Sequence, residues 1–155
     1  MKSVVVFASR SGNTKRVAEA IANSLRQSGE VEMYSVEAAP FEFGDADLLV
    51  VGGPTEAHGI TPEIKDYLAR LSMIDVANRR VAAFDTRLAW PVVLSGSAGA
   101  GIADRLRDLG GDLVVGSESF IVDRTPELKR GELDRAGRWG SDLIRMIAGR
   151  EPVGV

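Results

Sequence analysis

A chain of 155 residues with no cysteine and a single histidine, His58, is long enough to bury a core without a disulfide or metal staple. It lacks the ligands for structural zinc or iron–sulfur clusters and has no thiol nucleophile, and a Ser-His-Asp triad would depend on His58 alone. The net charge of −3 and the scattered arginines leave no basic tract with interleaved aromatics, so nucleic acid is not an expected partner.

The first apolar run begins within a few residues of Met1 and no run approaches transmembrane length. Neither a signal peptide nor a membrane span is therefore expected, and the cytoplasm is the default location. Val4 to Ala8 is an unbroken apolar run that stops at Ser9, as a buried strand does. Ser9-Arg10-Ser11-Gly12-Asn13-Thr14 follows, and a helical pattern starts at Lys15, with Val17, Ala18, Ile21 and Leu25 on one face and Gly29 as a stop. Val31 to Val36 alternates, the mark of a half-buried strand at a sheet edge. Leu48–Val51 and Val81–Phe84 are continuous apolar runs, expected as parallel strands covered on both faces.

Between Glu37 and Asp47 there is room only for a small or irregular helix. Thr61-Pro62-Glu63 predicts a helix start, with Ile64, Tyr67, Leu68 and Leu71 inward. Phe84 is expected to lead into a long loop, 85–94, before a helix from about Ser97. Leu113–Val115 and Phe120–Val122 predict one last strand with a break, Glu118 facing solvent. The final helix turns Leu133, Ala136, Gly140, Leu143, Ile144 and Ile147 inward, with Trp139 packing at the edge of that stripe.

Strand and helix alternate, which is the α/β pattern of a single domain over 1–155. Right-handed crossovers with helices on both faces put the alternating second strand outermost. The expected fold is a doubly wound five-stranded parallel sheet of order 2-1-3-4-5, with a ligand crevice at the carboxyl ends of strands one and three.

Three loops border that crevice. In the first, Ser9 to Thr14, hydroxyls, an amide and backbone N–H groups can converge on phosphate oxygens at a helix N-terminus, and Gly12 permits close approach. It has neither the lysine order of a Walker loop nor the G-x-G-x-x-G of a dinucleotide site. A plain capped helix start is the simpler alternative. Gly96-Ser97-Ala98-Gly99-Ala100-Gly101 begins some way past the fourth strand and is read as small residues opening a closely packed helix.

Ser9 to Thr14 resembles the phosphate loop of the flavodoxin family, Thr/Ser-x-Thr/Ser-Gly-Asn-Thr, and flavodoxin itself exemplifies the strand-order rule used above. Gly53-Pro54-Thr55 with His58-Gly59 and Pro62 is similar to the second flavin-binding loop of flavodoxin-like domains. Leu109-Gly110-Gly111 and Gly131-Glu132-Leu133 also fit, so the likeness spans nearly the whole chain. The resemblance implies FMN as cofactor, its phosphate in Ser9, Arg10, Ser11, Gly12, Asn13 and Thr14. Pro54, Thr55, Glu56, Ala57, His58 and Gly59 are then expected beside the ring, as are Asp85, Thr86, Arg87 and Trp90 of the third loop.

That third loop departs from the family pattern, lacking its Gly-Asp and stacking tyrosine. Trp90 is expected to offer a stacking face instead, or to pack under its own loop. Arg87 is expected either near the flavin, where it would make the second reduction less costly than in acidic flavodoxins, or as a solvated surface arginine. His58 is expected either at the ring edge or as a bystander on an exposed loop.

The resemblance implies an FMN-binding electron carrier serving redox partner proteins or a small acceptor, with no catalytic acid, base or metal from the chain. The alternatives are an FMN-dependent NAD(P)H:quinone-type oxidoreductase and a module that has kept the fold but lost the flavin. A receiver domain of the same strand order is excluded, because Ser9-Arg10 and Gly52-Gly53-Pro54 stand where its acidic cluster and phosphorylatable aspartate belong.

Overall fold

A computed structural model describes residues 1–150; the last five residues of the expected single domain lie outside the described residues. The strands are β1 (Ser3–Phe7), β2 (Val31–Ser35), β3 (Leu48–Pro54), β4 (Arg80–Leu88), β5 (Asp112–Leu113) and β6 (Glu118–Val122). The helices are α1 (Asn13–Leu25), α2 (Pro62–Arg70), α3 (Met73–Val76), α4 (Val92–Ser95), α5 (Ala98–Asp108) and α6 (Glu132–Arg150).

All strand pairs are parallel, in the order β2-β1-β3-β4-β5, with β6 also on β4. β5 pairs with Arg80–Val81 and β6 with Phe84–Leu88. They share one edge position as two halves of the broken last strand that the sequence predicts.

The continuous apolar runs are explained by the two-residue period of a strand. Val4 and Val6, Leu49 and Val51, and Val81 and Ala83 join one buried cluster with Ile64 and Leu68 of α2 and Ile102 and Leu106 of α5. Val5 and Phe7, Leu48 and Val50, and Ala82 and Phe84 join the other, with Val17 and Ile21 of α1 and Leu143 and Ile147 of α6. The apolar runs of β1, β3 and β4 therefore feed two cores, one on each face of the sheet. β2, at the edge, is half-buried throughout.

Trp139 lies deeper than its place at the stripe's edge suggests. It is buried and forms edge-to-face pairs with Phe84 and Phe120, while those two pair with each other, all three centroid distances being 6.2 Å. Gly52 makes room for this trio: a Cβ there would come within 2.2 Å of the Phe84 ring.

Two expectations are corrected. β4 does not end at Phe84 but runs to Leu88, because β6 pairs with its last five residues; Asp85 and Thr86 are thus buried strand residues. Glu118 does not simply face solvent. It is half-buried and ion-paired to Arg135 at 3.0 Å, whose guanidinium lies 4.6 Å over the Phe120 ring and also holds Glu132 at 2.8 Å. The Arg135 bond, above all, holds the Glu132 carboxyl below its ordinary range.

Candidate functional site

The carboxyl ends of β1, β3 and β4 bring the three predicted loops to one edge of the sheet. In the first, Gly12 stands just before α1 with φ 93°, a left-handed conformation that suits glycine. Ser9 Oγ accepts from the Gly12 amide at 3.1 Å and, more distantly, from the Lys15 amide at 3.4 Å. The Asn13 side chain donates to Ser11 Oγ and to the Pro126 carbonyl, and Thr14 Oγ1 lies 2.8 Å from Thr86 Oγ1 in a buried contact. Ser9, Asn13 and Thr14 thus spend their side chains shaping the loop and tying it to its neighbours. Among the described residues, the backbone N–H groups of Ser11, Asn13 and Thr14 meet no acceptor. Together with the positive end of a 13-residue helix, they line a small electropositive concavity.

Arg10 does not complete that concavity. Its Nε lies 2.6 Å from Glu56 Oε1, and its Nη2 donates to both oxygens of Glu63 at 2.9 and 3.0 Å. Glu63 was not among the predicted site residues; an acidic residue in the first turn of a helix reads as a dipole partner, and only the fold brings it to Arg10. The Glu56 bond is the main reason the Arg10 guanidinium is held above its ordinary range. The Glu63 carboxyl is held below its usual range, first by its own backbone amide and further by Arg10.

The second loop is a tight reverse turn. Glu56 and Gly59 exchange backbone hydrogen bonds at 3.0 and 2.9 Å, and between them Ala57 and His58 both have positive φ, 46° and 71°. Both side chains are exposed. Residues with a Cβ pay about 1–2 kcal/mol for this region, and glycine recovers part of that at an entropic cost of about 0.5–1 kcal/mol. Ala57→Gly is therefore expected to stabilise the protein by about 0.5 kcal/mol in urea denaturation. A clear loss of stability would mean the turn takes another shape in solution.

The third loop is tied to the second from inside. Asp85, fully buried, accepts through Oδ2 from Ser97 Oγ at 2.6 Å, the Gly99 amide at 2.8 Å and Thr55 Oγ1 at 3.2 Å, while its Oδ1 has no partner among the described residues. Thr55 Oγ1 in turn accepts from the Ala98 amide at 2.9 Å. The N-terminus of α5 is thus filled by the protein's own carboxylate and hydroxyls, which supports the packing account of Gly96–Gly101 over a nucleotide one. Gly96, at φ 72°, lies so close to the second loop that a Cβ there would come within 1.8 Å of the His58 carbonyl oxygen.

Arg87 donates from Nη1 to the Trp90 carbonyl at 2.7 Å and the Leu88 carbonyl at 3.2 Å, so it braces its own loop. Trp90 is about half exposed, at 49%. With Leu88 and Ala89 it lines a pocket of about 270 Å³ whose other wall is Ile121 to Arg124 and Lys129. A larger cleft, about 560 Å³, runs along α6 beside Arg135, Trp139 and Arg145 and includes no residue of the three loops.

The structure therefore gathers Ser9–Thr14, Pro54–Gly59 and the Arg87–Trp90 segment at one edge, with Asp85 and Thr86 beneath as tethers. Ser97, Gly96 and Glu63 complete the arrangement.

Comparison with known proteins agrees with this architecture. An archaeal flavodoxin structure superposes with TM-score 0.80 at 24% identity over 96% of this chain and 99% of that one. The flavodiiron protein of Giardia intestinalis matches with TM-score 0.77 at 21% identity, over 95% of this chain and 36% of that one. In sequence, an uncharacterized protein of Methanocaldococcus jannaschii is 33% identical over 89 residues, covering 54% of this chain and 23% of that protein. A flavodoxin of Clostridium saccharobutylicum is 28% identical over 89 residues, 56% of each chain. The aligned part thus spans about a quarter and just over half of these two curated relatives. The flavodoxin domain family matches residues 4–90, from the first strand through the first two loops and into the third, and the chain belongs to that family.

Proposed function

We propose that the protein binds FMN and serves as an electron carrier. The observation that carries this reading is the first loop, with three unpartnered amides and a left-handed glycine at the N-terminus of α1. That donor set fits a phosphate monoester: it is neutral, convergent and backed by a helix dipole. The amides of Ser11, Asn13 and Thr14 and the Ser11 hydroxyl would hold the phosphate. The turn 54–59 and the loop ending at Trp90 would flank the ring. FMN, when bound, supplies one- and two-electron redox chemistry. The chain's part is to hold the cofactor, exclude water and set the local charge. Arg87, braced on the Trp90 carbonyl, would place a cation at this loop and make the second reduction less costly.

The expected result is an oxidised-flavin absorption spectrum from the purified protein, or uptake of added FMN. Riboflavin, lacking the phosphate, should bind at least about tenfold more weakly, since each charge-assisted bond contributes about 1.5–3 kcal/mol. A colourless protein that takes up no FMN would sink this reading. The mild net charge of −3 favours a second one, an FMN-dependent NAD(P)H:quinone-type reductase, because a dedicated shuttle commonly steers its partners with a strongly charged face. Incubation of the flavin-loaded protein with NADPH and a quinone separates the two: turnover without another protein identifies the enzyme.

A further inference from the structure

We propose that Arg10 is a positioning residue: it latches the Glu56–Gly59 turn and the start of α2 to the phosphate-type loop, and leaves anion binding there to neutral donors. This rests on the flavin reading above.

A guanidinium in the middle of an anion-binding loop is expected to face the anion. Here both its Nε and its Nη2 point to carboxylates on the second loop and on α2, the latter 53 residues away in sequence. The planar fork suits this: Nη2 spans both oxygens of Glu63 while Nε takes Glu56, so one rigid group joins three segments. Two carboxylates on one cation leave the cluster with a net negative charge. A phosphate would have to displace both to claim Arg10, whereas the free amides of Ser11, Asn13 and Thr14 stand ready beside it.

The turn has reason to need a latch. Ala57 and His58 hold left-handed conformations at an exposed tip, and a Cβ on Gly59 would meet nothing within 4 Å. Such conformations persist only where surrounding contacts over-determine them. Thr55 is held from the Asp85 side and the His58 carbonyl rests on Gly96; Arg10 holds Glu56 from the phosphate-loop side. The side chains are 51%, 40% and 39% exposed for Arg10, Glu56 and Glu63, so each pair by itself is weak. The effect comes through placement of the turn.

The test compares FMN with riboflavin on the full chain, by quenching of flavin fluorescence, in the wild type and in Arg10→Ala, Arg10→Lys, Glu56→Gln and the Arg10→Ala/Glu56→Gln double variant. A latch acts on the ring side. Arg10→Ala should therefore weaken both flavins by the same factor, about threefold to tenfold, and leave their ratio unchanged. Glu56→Gln should reproduce the loss, the double variant should be no worse than either single one, and Arg10→Lys should not rescue it. In the flavin-free protein, the imidazole NMR signals of His58, the sole histidine, should shift in Arg10→Ala. Loss of FMN affinity alone, with riboflavin untouched, would make Arg10 a phosphate ligand and overturn the latch. Unchanged affinities with unmoved His58 signals would reduce it to a surface ion pair and overturn it too. If the wild type binds neither flavin, the flavin reading fails, and the His58 signals alone decide the latch.

Discussion

Replacing Asp85 with alanine is expected to destabilise the protein by about 3–5 kcal/mol, because three donors lose their acceptor at once. Three donors converge on its Oδ2: the Ser97 hydroxyl, the Gly99 amide and the Thr55 hydroxyl. The Gly99 amide is buried, so water cannot take the carboxylate's place, and each abandoned buried donor costs about 1–3 kcal/mol. The start of α5 would also lose the negative charge that complements its dipole. Asp85→Asn separates these contributions. Its side-chain oxygen can keep the bonds at Oδ2, while its NH2 falls where Oδ1 has no partner. A smaller loss, about 1–3 kcal/mol, is expected. Urea denaturation measures both, and similar losses for the two variants would refute the three-donor account. Because Asp85 holds Thr55 and the start of α5 together, Asp85→Ala should also weaken the FMN binding proposed above before it unfolds the chain.

Phe84→Ala should cost about 3–5 kcal/mol, as is usual when a large aromatic leaves a packed core. Phe84 is fully buried at the centre of the Phe84–Phe120–Trp139 trio, and deleting it empties the space between β3 and α6. A typical domain has only 5–15 kcal/mol to lose. Gly52→Ala tests the same space from the other side. Its new Cβ would sit 2.2 Å from the Phe84 ring, itself wedged between two other rings, so overpacking of about 1–3 kcal/mol is expected. In the double variant the alanine methyl enters the space Phe84 leaves. Its destabilisation should therefore be smaller than the sum of the two. Strict additivity in denaturation midpoints would show that the two positions do not share this space.

Most of the scaffold was legible in the residues alone. Val4–Phe7, Leu48–Val51 and Val81–Phe84 are apolar on both faces, a pattern that parallel strands between two helical layers produce and a solvent-facing sheet does not. The alternation in Val31–Ser35 marked an edge, and the polar interval Gly116-Ser117-Glu118-Ser119 marked a divided last strand, whose second half starts two residues earlier, at Glu118. The first loop was legible because Gly12 and its neighbours sit next to one another in sequence, and a helix N-terminus is a local object.

Side-chain partnerships across loops were not. Nothing local distinguishes an Arg10 that faces an anion from one that grips Glu56 and Glu63. Nothing in Asp85-Thr86 tells a ring-side loop from a strand end, because the strand is prolonged by pairing with β6, more than thirty residues on. Trp139 looked peripheral on a helical wheel, yet lies against Phe84 and Phe120 because β4 and β6 point those rings at α6.

By itself, then, the sequence determined the doubly wound sheet, its edge strand and a polar, glycine-bearing loop at the head of α1, since each follows from local periodicity, a glycine and a helix start. Tertiary structure alone decided which partners that loop's residues take. It drew Arg10 away to two carboxylates, buried Asp85 as the tether of the second loop to α5, and left the amides of Ser11, Asn13 and Thr14 open. The reason is physical: a hydrogen bond or ion pair forms with whatever group the fold places within about 3 Å, and residues far apart in the chain carry no record of that distance.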